Sequence, residues 1–319
     1  MTIELSIVIP IFNESALISE LIKRLLVTRQ LIEKEFENPL SSIEIIFVND
    51  GSSDQSFDLL KEICGNQEGF KLLNLSRNFG HQYAITAGLQ YSTGSAIVLM
   101  DGDLQDPPEF IADLYRKMKE GYDVVYAVRE KRKGENPFKL VTASLYYKLL
   151  QKLIAIPIPA DTGDFRLMTR RVADLLLALP ESHRFIRGLV TWIGFKQTGL
   201  FYVRDRRYAG KTKFSITKMV RFALDGMTSF STVPLKLASY VGFMMTILGV
   251  FYAGYTLYVK YFTTHTVQGW SSLMLVVLIS AGAQLITLGI IGEYIGRIYD
   301  ETKKRPLYVV EGLYQKQNK

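Results

Sequence analysis

Ile97-Val98-Leu99-Met100-Asp101-Gly102-Asp103-Leu104-Gln105-Asp106-Pro107-Pro108 is an apolar run that breaks into acids. Unbroken apolar residues read as a strand buried on both faces, and the acids stand where its carboxyl end meets solvent. Side chains at i and i+2 of a strand share a face, so Asp101 and Asp103 are expected to converge. Two carboxylates held that close are costly unless a cation lies between them. Oxygen donors of this kind suit Mg2+ or Mn2+, completed by diphosphate oxygens and water, with Gln105 a further oxygen. An isolated Asp-x-Asp is common in loops; its weight here comes from its place in the chain.

Outward from this stretch, apolar runs recur at 5–10, 43–48, 71–75 and 123–127, with helical patterns between them. The helix over 109–119 has Asp106 as its expected N-cap, Pro107 in its first turn and Gly121 past its end. Strands alternating with helices predict an α/β domain, a mostly parallel sheet with helices on both faces. Such sheets bind ligands beyond the carboxyl ends of their strands. There, Pro10-Ile11-Phe12-Asn13-Glu14 follows the first strand and Asn49-Asp50-Gly51-Ser52 the second. Neither is a Gly-rich dinucleotide turn or a phosphate-binding loop of the Gly-Lys-Ser type. Taken alone, Asp50 reads as an Asx turn or a helix cap, and 163–166 as a turn with a local ion pair.

No charge interrupts 237–259 or 270–292. Each 23-residue run spans roughly 34 Å at about 1.5 Å per residue, enough for a bilayer core. A short polar connection makes them a hairpin. Eight Lys/Arg precede it between Arg204 and Lys236, and Arg297, Lys303, Lys304 and Arg305 follow it. The positive-inside rule then expects both termini in the cytoplasm. Basic amphipathic stretches near 137–155 and 214–230 read as interfacial helices on an anionic membrane. The expected division is therefore a catalytic domain over 1–233, a transmembrane hairpin over 234–296 and a cytoplasmic tail over 297–319. The run 5–12 is too short for a secretory signal and lacks a basic lead, so the N-terminal portion is expected to stay where it is made.

The 319 residues are 48% hydrophobic and carry a formal charge of +7, which calls for an anionic partner. Much of the basic excess flanks the hairpin, where topology explains it, and no nucleic-acid partner is expected. The single cysteine, Cys64, excludes a disulfide framework and a Cys-based metal site and reads as a buried, inert thiol.

Five motifs in order, Pro10–Glu14, Val48–Ser52, Ser76-Arg-Asn-Phe-Gly80, Asp101–Pro108 and Gly163-Asp-Phe-Arg-Leu-Met168, resemble the inverting family 2 glycosyltransferases, above all those using polyprenyl phosphate. Bactoprenol glucosyltransferases and dolichyl-phosphate mannose synthases are among them, and Gly289–Arg297 with Lys304-Arg-Pro-Leu-Tyr308 is similar to the bactoprenol branch. The resemblance implies a GT-A fold and transfer of a hexose, glucose from UDP-glucose, onto a polyprenyl phosphate at the plasma (inner) membrane. It implies that Pro10, Phe12, Glu14 and Asp50 hold the nucleoside, and that Asp101, Asp103 and Gln105 surround the metal and diphosphate. Asp164 faces the reaction centre; Arg129, Arg207 and Lys213 handle phosphates. The Gln-x-x-Arg-Trp signature of processive synthases is absent, which argues for a single transfer. His81 departs from the Lys or Gln of relatives and is expected to be a satisfied surface histidine. The chain is expected to act as a homo-oligomer. The competing reading, a non-catalytic membrane-tethered module for a nucleotide sugar or a partner, sits poorly with Asp101, Asp103 and Asp164 all intact.

Overall fold

The computed structural model describes residues 3–36, 42–130, 162–204, 231–262 and 269–316. Both basic amphipathic stretches, together with Arg207 and Lys213, lie outside the described residues.

Five strands come where the apolar runs place them: β1 Leu5–Ile11, β2 Ile43–Asn49, β3 Phe70–Leu75, β4 Ala96–Leu99 and β5 Val124–Arg129. Between them lie α1 Ile18–Phe36, α2 Ser56–Asn66, α3 His81–Tyr91 and α4 Ile111–Lys119. β1 and β2 are buried along their whole length, which is why they read as unbroken rather than alternating apolar runs. Leu5, Ile7, Ile9 and Ile11 join a core with Leu21 and Leu25 of α1, Leu60 of α2 and Leu114 of α4. Val8 points the other way, toward α3. A Cβ on Gly88 would lie 2.2 Å from Val8 Cγ1, so only glycine lets α3 lie this close. Helices therefore cover both faces.

Three further strands complete one sheet: β6 Thr162–Thr169, β7 Gln197–Tyr202 and β8 Val310–Gln315. The order is β7-β5-β6-β4-β1-β2-β3-β8. β1 to β4 are mutually parallel, as are β5 and β7, while β6 runs antiparallel to β4 and β5, and β8 to β3. The chain steps outward from β1 through β2 and β3, then returns to β4 on the other side of β1. In α/β sheets such a reversal is where ligands are received, beyond the carboxyl ends of the two strands, here β1 and β4. The arrangement is GT-A-like. Residues 163–166 are not a turn but the start of β6: Phe165 and Leu167 enter the core, and the alternating Asp164 and Arg166 find partners on the opposite face. Within the stretch expected as a tail, β8 adds an edge strand beside β3.

Among the described residues, 231–262 and 269–304 form a second compact unit. Its helices, α7 Val233–Phe262 and α8 Trp270–Lys303, are numbered after α5 Arg170–Ala178 and α6 Ile186–Ile193 of the first unit. Both are long and apolar enough to cross a membrane, with mean hydropathies of 1.6 and 2.3 and almost no burial inside the protein. α8 outruns its charge-free segment because Glu293 and Arg297 pair one turn apart at 3.1 Å. It closes on Lys304 in the left-handed conformation (φ 48°), just ahead of Pro306.

Candidate active site

The loops after β1 and β2 are laced into one rim. Ser52 Oγ accepts from the Asn13 amide and Ser56 Oγ from the Glu14 amide, both at 3.0 Å, and Asp54 accepts from the Ser15 amide at 3.0 Å. In return, Asn13 Oδ1 accepts from the Ser53 amide at 2.8 Å. Pro10 ends up as a buried ladder residue paired with Val48, while Phe12 stands 39% exposed on the rim beside Glu14. Asp50 is buried. Its two oxygens accept from the amides of Phe79 (2.7 Å) and Gly80 (3.0 Å), so it anchors the loop that leads into α3.

Asp101 and Asp103 lie in the turn after β4 rather than on a strand face, because β4 already ends at Leu99. Leu104 adopts a left-handed conformation (φ 57°) that a branched side chain occupies at a cost of about 1–2 kcal/mol. It is buried, and its turn folds the Gln105 amide back onto Asp103 Oδ1 at 3.1 Å. Such strain is concentrated at functional sites. Nor does Asp106 cap a helix: neither the 3-10 turn Pro108–Phe110 nor α4 has a side-chain cap. Asp106 is wholly buried, accepting from the Tyr202 hydroxyl and lying 3.4 Å from Arg204 Nε. Arg129, last in β5, leans 3.4 Å from the same hydroxyl and packs over Gly163, where a Cβ would come within 2.7 Å of it.

The antiparallel register Leu99↔Arg166, carried two residues on, sets Asp164 of β6 opposite Asp101. His81 bridges them. Its Nε2 lies 3.3 Å from Asp101 Oδ1 and 3.3 Å from Asp164 Oδ2, so this 44% exposed histidine is satisfied, as expected, and its partners are the two acids. Asp164 also accepts from Gln82 Nε2 (3.2 Å) and Arg187 Nη2 (3.4 Å). Burial pushes its carboxyl up, but Arg187, His81 and Arg166 outweigh that and hold it well below the usual carboxylate range. Asp101 goes the other way, pushed up to about 6 by burial and by Asp106, Asp164 and Asp103 against the pull of His81. His81 is lowered by desolvation and raised more strongly by the two carboxylates, to about 9.

The donor set fits a divalent cation. Asp101 Oδ1 is buried and meets no donor at hydrogen-bonding geometry, and the carboxylates around it repel one another. Among the described residues no three acidic, His or Cys side chains surround one point, so the ion would rest on Asp101 and Asp103 together with ligand oxygens. His81, Gln82, Asp106 and Arg187 were not singled out as site residues from sequence. The only signal was position: His81 and Gln82 directly follow the Ser76–Gly80 motif, and Asp106 lies within the acidic stretch.

Residues 6–177 match the model of glycosyl transferase family 2, and residues 233–298 match that of the GtrB C-terminal hairpin. An uncharacterized glycosyltransferase of Bacillus subtilis, YkcC, is 52% identical over 99% of this chain and 96% of its own. A prophage bactoprenol glucosyl transferase homolog of Escherichia coli is 38% identical over 97% and 98%, and the bactoprenol glucosyl transferase of Shigella phage SfV 37% over 98% and 100%. Among solved structures, Staphylococcus aureus TarS 1-349 in complex with UDP-GlcNAc overlays with a TM-score of 0.45 at 14% identity, covering 95% of this chain and 82% of that one.

Proposed function

This chain belongs to glycosyl transferase family 2, and from that premise we propose that it transfers glucose from UDP-glucose to a polyprenyl phosphate in one displacement that inverts the anomeric carbon. The carrying observation is the joining, in one chain, of a family 2 domain to the GtrB hairpin, at 37–38% identity to bactoprenol glucosyl transferases along the full length. The site supports the chemistry. A phosphate monoester has its second pKa near about 6, so the nucleophile is already ionised at neutral pH and needs no strong base. Asp164, held ionised by its cationic neighbours, is correspondingly a poor proton acceptor and suits positioning and charge balance. The rim from Pro10 to Glu14 with Asp50 takes the nucleoside, and Arg129, Arg207 and Lys213 take phosphates. Asp101, Asp103 and Gln105 would hold Mg2+ or Mn2+, which as a Lewis acid stabilises a departing diphosphate. The acceptor's tail stays in the membrane that the hairpin crosses, with the catalytic domain on the cytoplasmic side.

A panel of labelled nucleotide sugars offered with undecaprenyl phosphate, with and without chelator, tests this. UDP-glucose should give an acid-labile lipid-linked sugar of inverted configuration. Transfer to water alone, or to no polyprenyl phosphate in the panel, would overturn it.

A further inference from the structure

We propose that Arg187 is a phosphate receptor of this site, taking an anionic phosphate oxygen of a substrate beside Asp164. The inference rests on the reading that both substrates bring phosphate to the site. Phosphates must approach a floor made of Asp101, Asp103, Asp106 and Asp164, which repels them. A cation with donors to spare is needed at that floor, and Arg187 is built as one.

Its side chain is 20% exposed, and its Nε is buried without a hydrogen-bond partner. The guanidinium offers five N–H groups in a fixed fork. Here its contact with Asp164 Oδ1, at 3.4 Å, is at the long end of hydrogen bonding. A bidentate oxyanion would satisfy what this carboxylate leaves open. The neighbouring guanidinia are differently placed: Arg166 is 3% exposed and donates to Gly163 O at 3.0 Å, Arg129 leans on Tyr202, and Arg204 lies against Asp106.

The arm that carries Arg187 is also fixed in advance. Gln82 Oε1 accepts from the Ile186 amide at 2.9 Å while its Nε2 donates to Asp164, so one side chain ties the start of α6 to the acid that Arg187 faces. Tyr83 donates to Ser182 O at 3.0 Å, and Arg184 donates to Leu176 O and Leu179 O at 3.0 and 2.7 Å. Arg187 therefore reaches the site from a segment latched to the first turn of α3. A receptor that is already oriented loses little freedom when the anion arrives.

The test uses the full chain in nanodiscs, as wild type, Arg187→Gln and Arg187→Lys. Calorimetry measures affinity for UDP and, separately, for a short-chain polyprenyl phosphate; neither needs turnover. Arg187→Gln should weaken one of these by at least about tenfold, the loss of one charge-assisted contact, with Arg187→Lys recovering part of it. Loss confined to the polyprenyl phosphate assigns the acceptor's phosphate, and loss confined to UDP assigns the donor's. Both affinities unchanged in Arg187→Gln, with transfer reduced only in kcat, would mean that Arg187 merely positions Asp164, and the proposal falls. Should Arg187→Gln lose its thermal transition, Arg187→Lys carries the test: an unchanged KM and unchanged affinities despite a lower kcat would equally overturn it. A wild type that binds both ligands but transfers nothing defeats the proposed reaction and leaves this reading of Arg187 to the binding data.

Discussion

Asp101 and Asp164 carry the same side chain and face each other across the β4–β6 pair, yet their neighbours drive them apart. Three cations surround Asp164 and three acids press on Asp101. A group in Asp101's position gains from a divalent cation, and Asp103 shares the load. Asp103→Asn should therefore cost on the order of a hundredfold in transfer rate, and EDTA should abolish transfer reversibly, with Mg2+ or Mn2+ restoring it. Full turnover in strict metal-free buffer would count against the cation. Asp50 has a double task. Because its oxygens hold the Phe79 and Gly80 amides, Asp50→Ala should both weaken nucleotide binding and cost about 1–3 kcal/mol of stability, read by calorimetry and by thermal melting. Asp50→Asn, which keeps one acceptor, should lose less stability. Asp50 and Asp101 are legible in the sequence because each closely follows an apolar strand, whereas Asp164, inside β6, enters only through the family resemblance. The cations are not legible: His81, Arg187 and Arg166 become site residues only once α3, α6 and β6 meet, and that pairing is long-range.

At the scale of elements, the strands that could be read were those buried on both faces, where composition alone marks them. β6 escaped because its charged residues are satisfied by partners far away in sequence, and β8 because its partner strand is remote, 237 residues away at the Asn74–Glu311 contact. The far end of the sheet depends on a similar long-range partnership. Glu44 of β2 is buried and accepts from Ser6 Oγ (2.5 Å), Lys71 Nζ (2.6 Å) and the Thr93 amide (2.6 Å). Burial raises its carboxyl, but these donors together hold it below the usual range. A carboxyl lowered by folding contributes stability above its unfolded pKa, near about 4.3, and loses it as pH falls through the folded value. Wild type should thus lose melting temperature steeply below about pH 4. Glu44→Gln should be less stable by about 1.5–3 kcal/mol at pH 7 and show a shallower acid decline in parallel thermal scans.

The whole molecule joins these parts in a way that constrains its topology. β7 ends at Tyr202 and β8 begins at Val310, and both belong to one sheet, so the intervening chain leaves and returns to the same side of any bilayer. A sheet cannot be divided by a membrane without breaking its ladder. If the segment between crosses, it must do so an even number of times, and its described residues hold two helices fit to cross. On the function proposed above, the sheet would lie on the cytoplasmic side, as the Lys/Arg excess on the flanks favours. Single-cysteine labelling can read this cleanly, because native Cys64 is fully buried and its thiol is pushed up to about 12, leaving it unreactive. Cysteines replace Glu120, Thr266 and Lys316, one at a time, in intact cells. A membrane-impermeant maleimide should reach position 266 from outside, and positions 120 and 316 only after permeabilisation. Labelling of 120 and 316 from outside, with 266 protected, would reverse the orientation and remove access to a cytosolic nucleotide sugar. Protection of all three would mean that the helices do not cross. Position 120 on one side and 316 on the other would be the deepest failure, since it would take β8 out of the sheet and with it the even-crossing constraint.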